Sequence, residues 1–456
     1  MSLAATAEAV CSGRTSASET VAQALAAIEA AAGLNAATHV HAERARARAA
    51  ALDARISEGG DPGPLAGVPF AVKNLFDVEG QITRAGSRAT GADPPAARDA
   101  YAIRALEEAG AVLVASTNMD ELAYGFSGEN AHDGDTRNPR DPRLSAGGSS
   151  SGSAALVAAG AVPLALGTDT NGSVRVPAAL SGIAGLKPTY GRLSRSGVFS
   201  FVHSLDHVGV FAATADDLAA ALAALDGPDP DDPAQASGVS PRPVPQELRA
   251  ARLGGWFAAP LHPDVAEAVD AAAGALGAPT TVELTLAEAA RAAAFVLTTA
   301  EGGQRHLAGL ARHAERFGPL VRDRLRAGAL VPAAWTGRAQ KLRRRVTDEL
   351  SDLHREADVL FAPATPCPAF PLGTAEHGVA GEVLPIRLGI GMFTQPLTLT
   401  GVPIGVAVRR GARSGLPVGV QVIGRPFEEA TVLAAMARLE KAGFVMHPAQ
   451  TEAAHA

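Results

Sequence analysis

The stretch that most constrains this chain runs from residue 147 to 191, GGSSSGSAALVAAGAVPLALGTDTNGSVRVPAALSGIAGLKPTYG. Two loops of glycine and hydroxyl residues are each followed by a run of small apolar residues. Glycine admits conformations and close approaches that a side chain forbids, so such loops bring backbone N–H groups and hydroxyls against a ligand. The phosphate-binding versions do not fit, because there is no G-x-x-x-x-G-K-[ST] and no G-x-G-x-x-G opening a β-α-β unit.

Strands and helices alternate around these loops. A short apolar run over 67–72 ends in Lys73 and reads as a strand, followed by a helix near 100–109 and a strand near 112–116. Beyond the first Gly/Ser loop come a helix to about Gly160 and a strand near 164–167. That alternation predicts an α/β fold with a parallel or mixed sheet covered on both faces. At the end, PIGVAVRR and LPVGVQVIG flank GARSG and predict two neighbouring strands, before a helix over about 428–441.

The 456 residues are expected to form a single domain. Its parts are N-terminal helices over 1–57, the second from about Thr38 to Ile56, a core carrying the loops over 60–226, an exposed connection over 227–247, and a helical wall with C-terminal strands over 248–456. With 47% hydrophobic and 19% charged residues the composition is that of a well-buried globular chain. The net charge of −7, with both signs scattered, argues against a nucleic-acid partner. Cys11 and Cys367 show no Cys-x-x-Cys spacing, which leaves free thiols and fits a reducing cytoplasm. The N-terminus has neither the basic nor the apolar segment of a secretory signal, and no apolar run is long enough to span a membrane.

The lysine of PFAVKNLFDVEG, the loop GGSSSGSAA and GTDTNGSVRVPAALSGIAGLKPTYGRLS together resemble the amidase signature family. The likeness continues through NMDELAYGFSGEN, TRNPRDP, APATP and LPVGVQVIGRPFEEATVL, nearly the whole chain. The resemblance implies an amidase signature fold, a mixed central sheet covered by helices on both faces. It also implies a catalytic trio: Ser173 as nucleophile, Ser149 behind a cis peptide bond as proton bridge, and Lys73 as base. The backbone N–H groups of Thr170, Asn171, Gly172 and Ser173 are the implied oxyanion hole. No cofactor or metal is implied.

The trio makes chemical sense without the family. A serine hydroxyl is a poor nucleophile until a base takes its proton, and lysine is a base only when neutral. With an ordinary pKa of about 10.4, roughly one lysine in a thousand is neutral at pH 7.5, so burial has to lower it by about 2 to 3 units. Ser150, Ser151 and Ser153 are expected to be loop hydroxyls that satisfy backbone groups. Asp169 and Arg175 are expected to brace the loop. His203 and His207, four apart in SFVHSLDHVG, lack the third ligand of a metal site, and the run KLRRR at 341–345 reads as a solvated face with one inward member. Asn171 and Ser151 stand where many family members have glycine, and so add side chains to the turn or the cleft.

Substrate residues follow only from the resemblance. Arg343 in AQKLRR is placed against a substrate carboxylate, with Tyr124 and Gln395 as further contacts, and Gly391 offers no acid for a substrate ammonium. These point to a small, carboxylated, urea-like amide cleaved with release of ammonia. The alternatives are a glutamine-hydrolysing subunit of a transfer-RNA-dependent amidotransferase, a generic small-amide amidase, and a non-catalytic scaffold. A small helical partner subunit is implied, in a dimer or heterotetramer.

Overall fold

The structure is a computed structural model and describes residues 2–91, 93–236, 242–278 and 280–449. Its strands, in chain order, are β1 (Ala37–Val40), β2 (Pro69–Lys73), β3 (Val112–Thr117), β4 (Arg137–Asn138), β5 (Asp141–Ser145), β6 (Leu164–Asp169), β7 (Ala184–Lys187), β8 (His207–Ala212), β9 (Ala250–Leu253), β10 (Thr281–Val282), β11 (Val359–Pro363), β12 (Glu376–Val379), β13 (Glu382–Pro385), β14 (Ile404–Arg410) and β15 (Pro417–Ile423). Eleven of them form one sheet in the order β1-β3-β2-β6-β8-β7-β14-β15-β11-β9-β10, while β4 pairs with β5 and β12 with β13. The sheet is mixed. β2 lies parallel between β3 and β6, whereas β6, β8, β7, β14, β15 and β11 follow one another antiparallel.

Successive residues of a strand point to opposite faces, and here each face meets its own core. Phe70, Val72, Leu113, Leu164 and Leu166 enter one cluster, and Ala71, Val112, Val114 and Ala165 the other. A sheet covered on both sides needs continuous apolar strands, and every residue of β2, β3 and β6 is buried. On the small-residue side lies the helix Ser151–Ala158, with all eight residues buried. It sits so close to its neighbours that a Cβ on Gly152 would lie 2.1 Å from the Ala36 carbonyl oxygen. The Gly/Ser/Ala composition of this stretch is therefore a packing requirement as well as a feature of the loop.

Two expectations need correction. Residues 37–40 form the edge strand β1, pairing antiparallel with β3, and the helix begins only at Ala42 and runs to Ser57. Pairing with the sheet overrides helical propensity there, and leaves Val40 exposed. The connection 227–247 is not uniformly exposed, and its residues 237–241 lie outside the described residues. Asp229 and Asp232 are buried, accepting hydrogen bonds from the Ser194 hydroxyl and the Arg195 N–H respectively. Helices Ala287–His313, Pro319–Ala329 and Ala333–Glu356 pack together beside the sheet, with Pro263–Ala275 against β11 and β15.

Candidate active site

β2, β3 and β6 run parallel, and their carboxyl ends bring Lys73, Thr117 and Thr168 to one edge of the sheet. Such an edge is where open α/β sheets collect ligands. The Lys73 ammonium is fully buried and donates to Ser149 Oγ at 2.8 Å and Thr168 Oγ1 at 2.9 Å. Desolvation lowers its pKa to about 7, against the opposing pull of Asp120, Asp206 and Asp169. Ser149 follows a cis Gly148–Ser149 peptide bond. Its carbonyl accepts from the Asp120 N–H at 3.2 Å.

The second loop leaves β6 as the turn Asp169–Ser173. Asp169 braces it from beneath, accepting from the Gly172 N–H at 2.7 Å and the Val174 N–H at 3.2 Å, and pairing with the buried Arg175 at 2.9 Å. Burial opposes ionisation of this carboxyl, yet Arg175 holds its pKa well below the usual range. Arg175 also reaches the Thr394 carbonyl at 3.0 Å and Gln421 Oε1 at 2.8 Å. Both residues thus act as loop braces. The arrangement corrects the four-residue oxyanion set, because the Gly172 N–H is already bound to a carboxylate. The N–H groups of Asn171 and Ser173 bond to no other described residue. Thr170 anchors the turn from the far side, its hydroxyl donating to Asp206 Oδ1 at 2.7 Å. Among the described residues no hydrogen bond joins the Ser173 and Ser149 hydroxyls; the Ser173 carbonyl accepts from the Ser150 N–H at 3.3 Å.

Thr170, Asn171 and Ser173 open onto a cavity of about 1070 Å³, whose other walls come from the loop 120–135, the helices 287–313 and 319–329, and the segment 384–395. Tyr124 and Gln395 line it. The Tyr124 hydroxyl is buried without a partner, and Gln395 Oε1 accepts from Arg291 Nε at 2.9 Å. Arg343 does not reach this wall. Its Nη1 donates to the Ser204 carbonyl at 3.1 Å and its guanidinium lies 5.9 Å from the Tyr190 ring, so it is the inward member of KLRRR but faces a different neighbourhood.

Three arginines that the sequence did not single out line the cavity: Arg387, which pairs with Glu129 at 3.6 Å, and Arg324 and Arg291. The Arg324 guanidinium lies 3.5 Å over the Tyr124 ring centre and donates to the Tyr124 carbonyl at 2.8 Å. Neither Arg324 nor Arg291 has an ion-pair partner among the described residues, and burial lowers the pKa of both. Several acids of the cavity, by contrast, are committed to its loops. Asp120 accepts from the Ser127 and Gly128 N–H groups, and Glu121 from the Ser87 hydroxyl and the Gly318 N–H. A Cβ at Gly125 or at Gly148 would sit 2.0 Å from an Asp120 oxygen, which explains glycine at both positions. Burial pushes the Asp120 carboxyl upward, against the charge of Lys73.

Asp120 stood in NMDELAYGFSGEN, and Thr168 in GTDTNGS, without a role; their place at the sheet edge was the missing signal. Arg291 and Arg324 carried none, being single cations in a charged helical region. The neighbouring serines satisfy the backbone: Ser153 Oγ donates to the Leu166 carbonyl at 2.8 Å, and Ser150 Oγ to that of Thr168 at 3.2 Å. Ser151 is buried against Thr136 Oγ1 at 2.9 Å and adds nothing to the cleft, whereas Asn171 does. His203 is exposed and His207 buried, and no cluster of three or more metal-ligating side chains occurs among the described residues.

The fold and the similarities that follow make this chain a C–N amide hydrolase. The chain belongs to the Amidase family, whose model matches residues 19–433. It is 49% identical to AtzE, the 1-carboxybiuret hydrolase subunit of Pseudomonas sp. (strain ADP), over 96% of this chain and 97% of that protein. It is 40% identical to a glutamyl-tRNA(Gln) amidotransferase subunit from Halorhodospira halophila, over 88% of each. Among solved structures, an inhibitor-bound vestigial protein complex that reveals the origins of an s-triazine catabolic enzyme superposes with a TM-score of 0.95 at 47% identity, covering 98% of this chain and 99% of that one. No helix among the described residues is long and apolar enough to cross a membrane.

Proposed function

We propose that this amidohydrolase releases ammonia from a small carboxylated urea-like substrate, 1-carboxybiuret, by a serine acyl-enzyme route. The observation that carries the reading is the cavity wall. Arg324 and Arg291 line the cavity that Ser173 lines and make no ion pair among the described residues, and a desolvated guanidinium outside an ion pair favours an anionic ligand. Similarity to the 1-carboxybiuret hydrolase subunit supports the same choice.

In this route Ser173 Oγ attacks the scissile carbonyl carbon while its proton passes through Ser149 Oγ to neutral Lys73. The two serine hydroxyls must close into hydrogen-bond contact on substrate binding, as catalytic bonds commonly do. The carbonyl oxygen, now negative, is held by the free N–H groups of the 170–173 turn. Collapse breaks the C–N bond, the proton returns from Lys73 through Ser149 to the leaving nitrogen, and ammonia departs. Water then attacks the acyl-enzyme, giving the acid and free Ser173.

The similarity to a solved complex supports an assembly of more than one chain, and we assign a small helical partner to it, in a dimer or heterotetramer in the cytoplasm. The exposed Leu320, Leu330 and Trp335 on the helical wall suit such a partner. A second reading, glutamine hydrolysis for an amidotransferase, draws support from the 40% identity above. Ammonia release from 1-carboxybiuret and from glutamine, measured side by side on the purified protein, separates them. Turnover of carboxybiuret alone is expected, and turnover of glutamine alone would overturn the proposal.

A further inference from the structure

Gln395 holds a hydrogen-bond donor that the rest of the fold aims but does not use. It opens the short helix Gln395–Thr398, is 7% exposed and lines the cavity. Its segment rests on the turn that carries Ser173: the Thr394 hydroxyl donates to the Asn171 carbonyl at 2.6 Å, and a Cβ on Gly172 would lie 2.2 Å from that hydroxyl oxygen. The carboxamide has one orientation, because Oε1 accepts from Arg291 Nε at 2.9 Å and a guanidinium has only donors to offer. Arg291 is itself held from two further sides, by the Leu388 carbonyl at Nη2 and by the Trp256 ring, whose centre lies 5.7 Å from the guanidinium. The Nε2 end of Gln395 therefore points away from Arg291. It bonds to no described residue and is not among the unpartnered polar atoms sealed inside the protein, so it keeps accessible surface, and Gln395 exposes its surface in the cavity wall.

We infer that Gln395 Nε2 donates a hydrogen bond to an uncleaved carbonyl oxygen of the substrate, with Arg291 as the positioning residue that turns it inward. The inference deepens the proposed hydrolysis of 1-carboxybiuret and rests on that reading. Such a molecule offers three oxygen groups in a row: the scissile carbonyl, a middle carbonyl and a carboxylate. The N–H groups of the 170–173 turn serve the first, where charge develops, and guanidinium groups outside ion pairs serve the last. A neutral donor with a fixed direction matches the neutral oxygen that remains. Glutamine has CH2 at that place in its chain, so the same donor discriminates against it, because a buried donor left unmet is costly.

The test reads binding rather than turnover, on the full-length Ser173→Ala protein by titration calorimetry. Two ligands are compared: a carboxylated acylurea that carries the second carbonyl, and the ureido acid of equal length with CH2 in its place. The acylurea should bind more tightly. Gln395→Met, added to Ser173→Ala, should cut that preference by about 3- to 30-fold, mainly by weakening the acylurea. Gln395→Glu keeps an oxygen for Arg291 and loses the donor, so it should cut the preference at least as far, and it decides the question if the Met variant does not fold. Arg291→Met should weaken both ligands through the lost charge and, beyond that, lower the same ratio, which a purely electrostatic role leaves unmoved. A ratio unchanged in the Gln395 variants, equal affinity for the two ligands, or binding of neither would overturn the inference. Failure of wild type to release ammonia from 1-carboxybiuret sinks the proposed function instead, and the binding ratio, which needs no turnover, keeps the two claims separable.

Discussion

The floor of the site and its far wall are built on opposite terms. At the floor, Lys73, Ser149 and Thr168 are buried and tied together by hydrogen bonds of 2.8 and 2.9 Å, with Lys73 and Thr168 on strands whose every residue is buried. At the wall, Arg291 and Arg324 line the cavity and make no ion pair among the described residues. A satisfied network in a rigid sheet holds its groups in register, whereas guanidinium groups outside ion pairs beside a large cavity suit an anionic ligand. On the proposed function, the difference places reaction type and substrate choice in separate parts of the molecule, so that each can be broken without the other.

The largest effect is expected from Ser173→Ala, which should lower kcat by about 10⁴-fold or more while the thermal melt stays near wild type. Turnover retained by a folded Ser173→Ala protein would place the nucleophile elsewhere. Next comes the floor's base. Protonated Lys73 cannot accept a proton, so kcat/KM should rise with pH through about 7 and then level, as the neutral amine becomes the main form. Lys73→Met should lose about 10³-fold in rate, and a pH–rate profile measured on its residual activity should lack that acidic limb. An unchanged profile would move the base to another group.

The smallest effects sharpen the wall. Arg324→Met should cut kcat/KM on a carboxylated substrate by about 10- to 150-fold and leave an uncharged amide analogue nearly untouched. Arg343→Met, which removes a cation that does not line the cavity, should cost less than about 5-fold on either substrate. A larger, charge-dependent loss at Arg343 than at Arg324 would show that the carboxylate sits near Ser204 and Tyr190 instead.

Much of the floor was legible in the chain. Lys73 ends a short strand and the glycine-hydroxyl loops demand close approach, while the choice of Ser149 and Ser173 among the loop hydroxyls came from the resemblance to the amidase signature family. The Gly172 N–H was misassigned because nothing local says that the Asp169 carboxylate curls back to bind it at 2.7 Å. The edge strand 37–40 was misread as helix because its pairing partner lies more than seventy residues away in β3.

By itself, then, the sequence determined an α/β fold with a covered sheet, since apolar strand runs and small-residue loops are local constraints written residue by residue, while the candidate reacting groups came from the motifs shared with the amidase signature family. Only the tertiary structure decided which side chains face the reacting centre from across the cavity. Arg291, Thr298 and Arg324 lie on two helices more than a hundred residues after Ser173, and their orientation depends on how those helices pack against the sheet. Arg343, on the next helix, turns to Ser204 for the same reason. A charged residue in a helix pattern is equally consistent with solvent or with a cavity. Burial without a partner, which exists only once the chain has folded, is what separates the two.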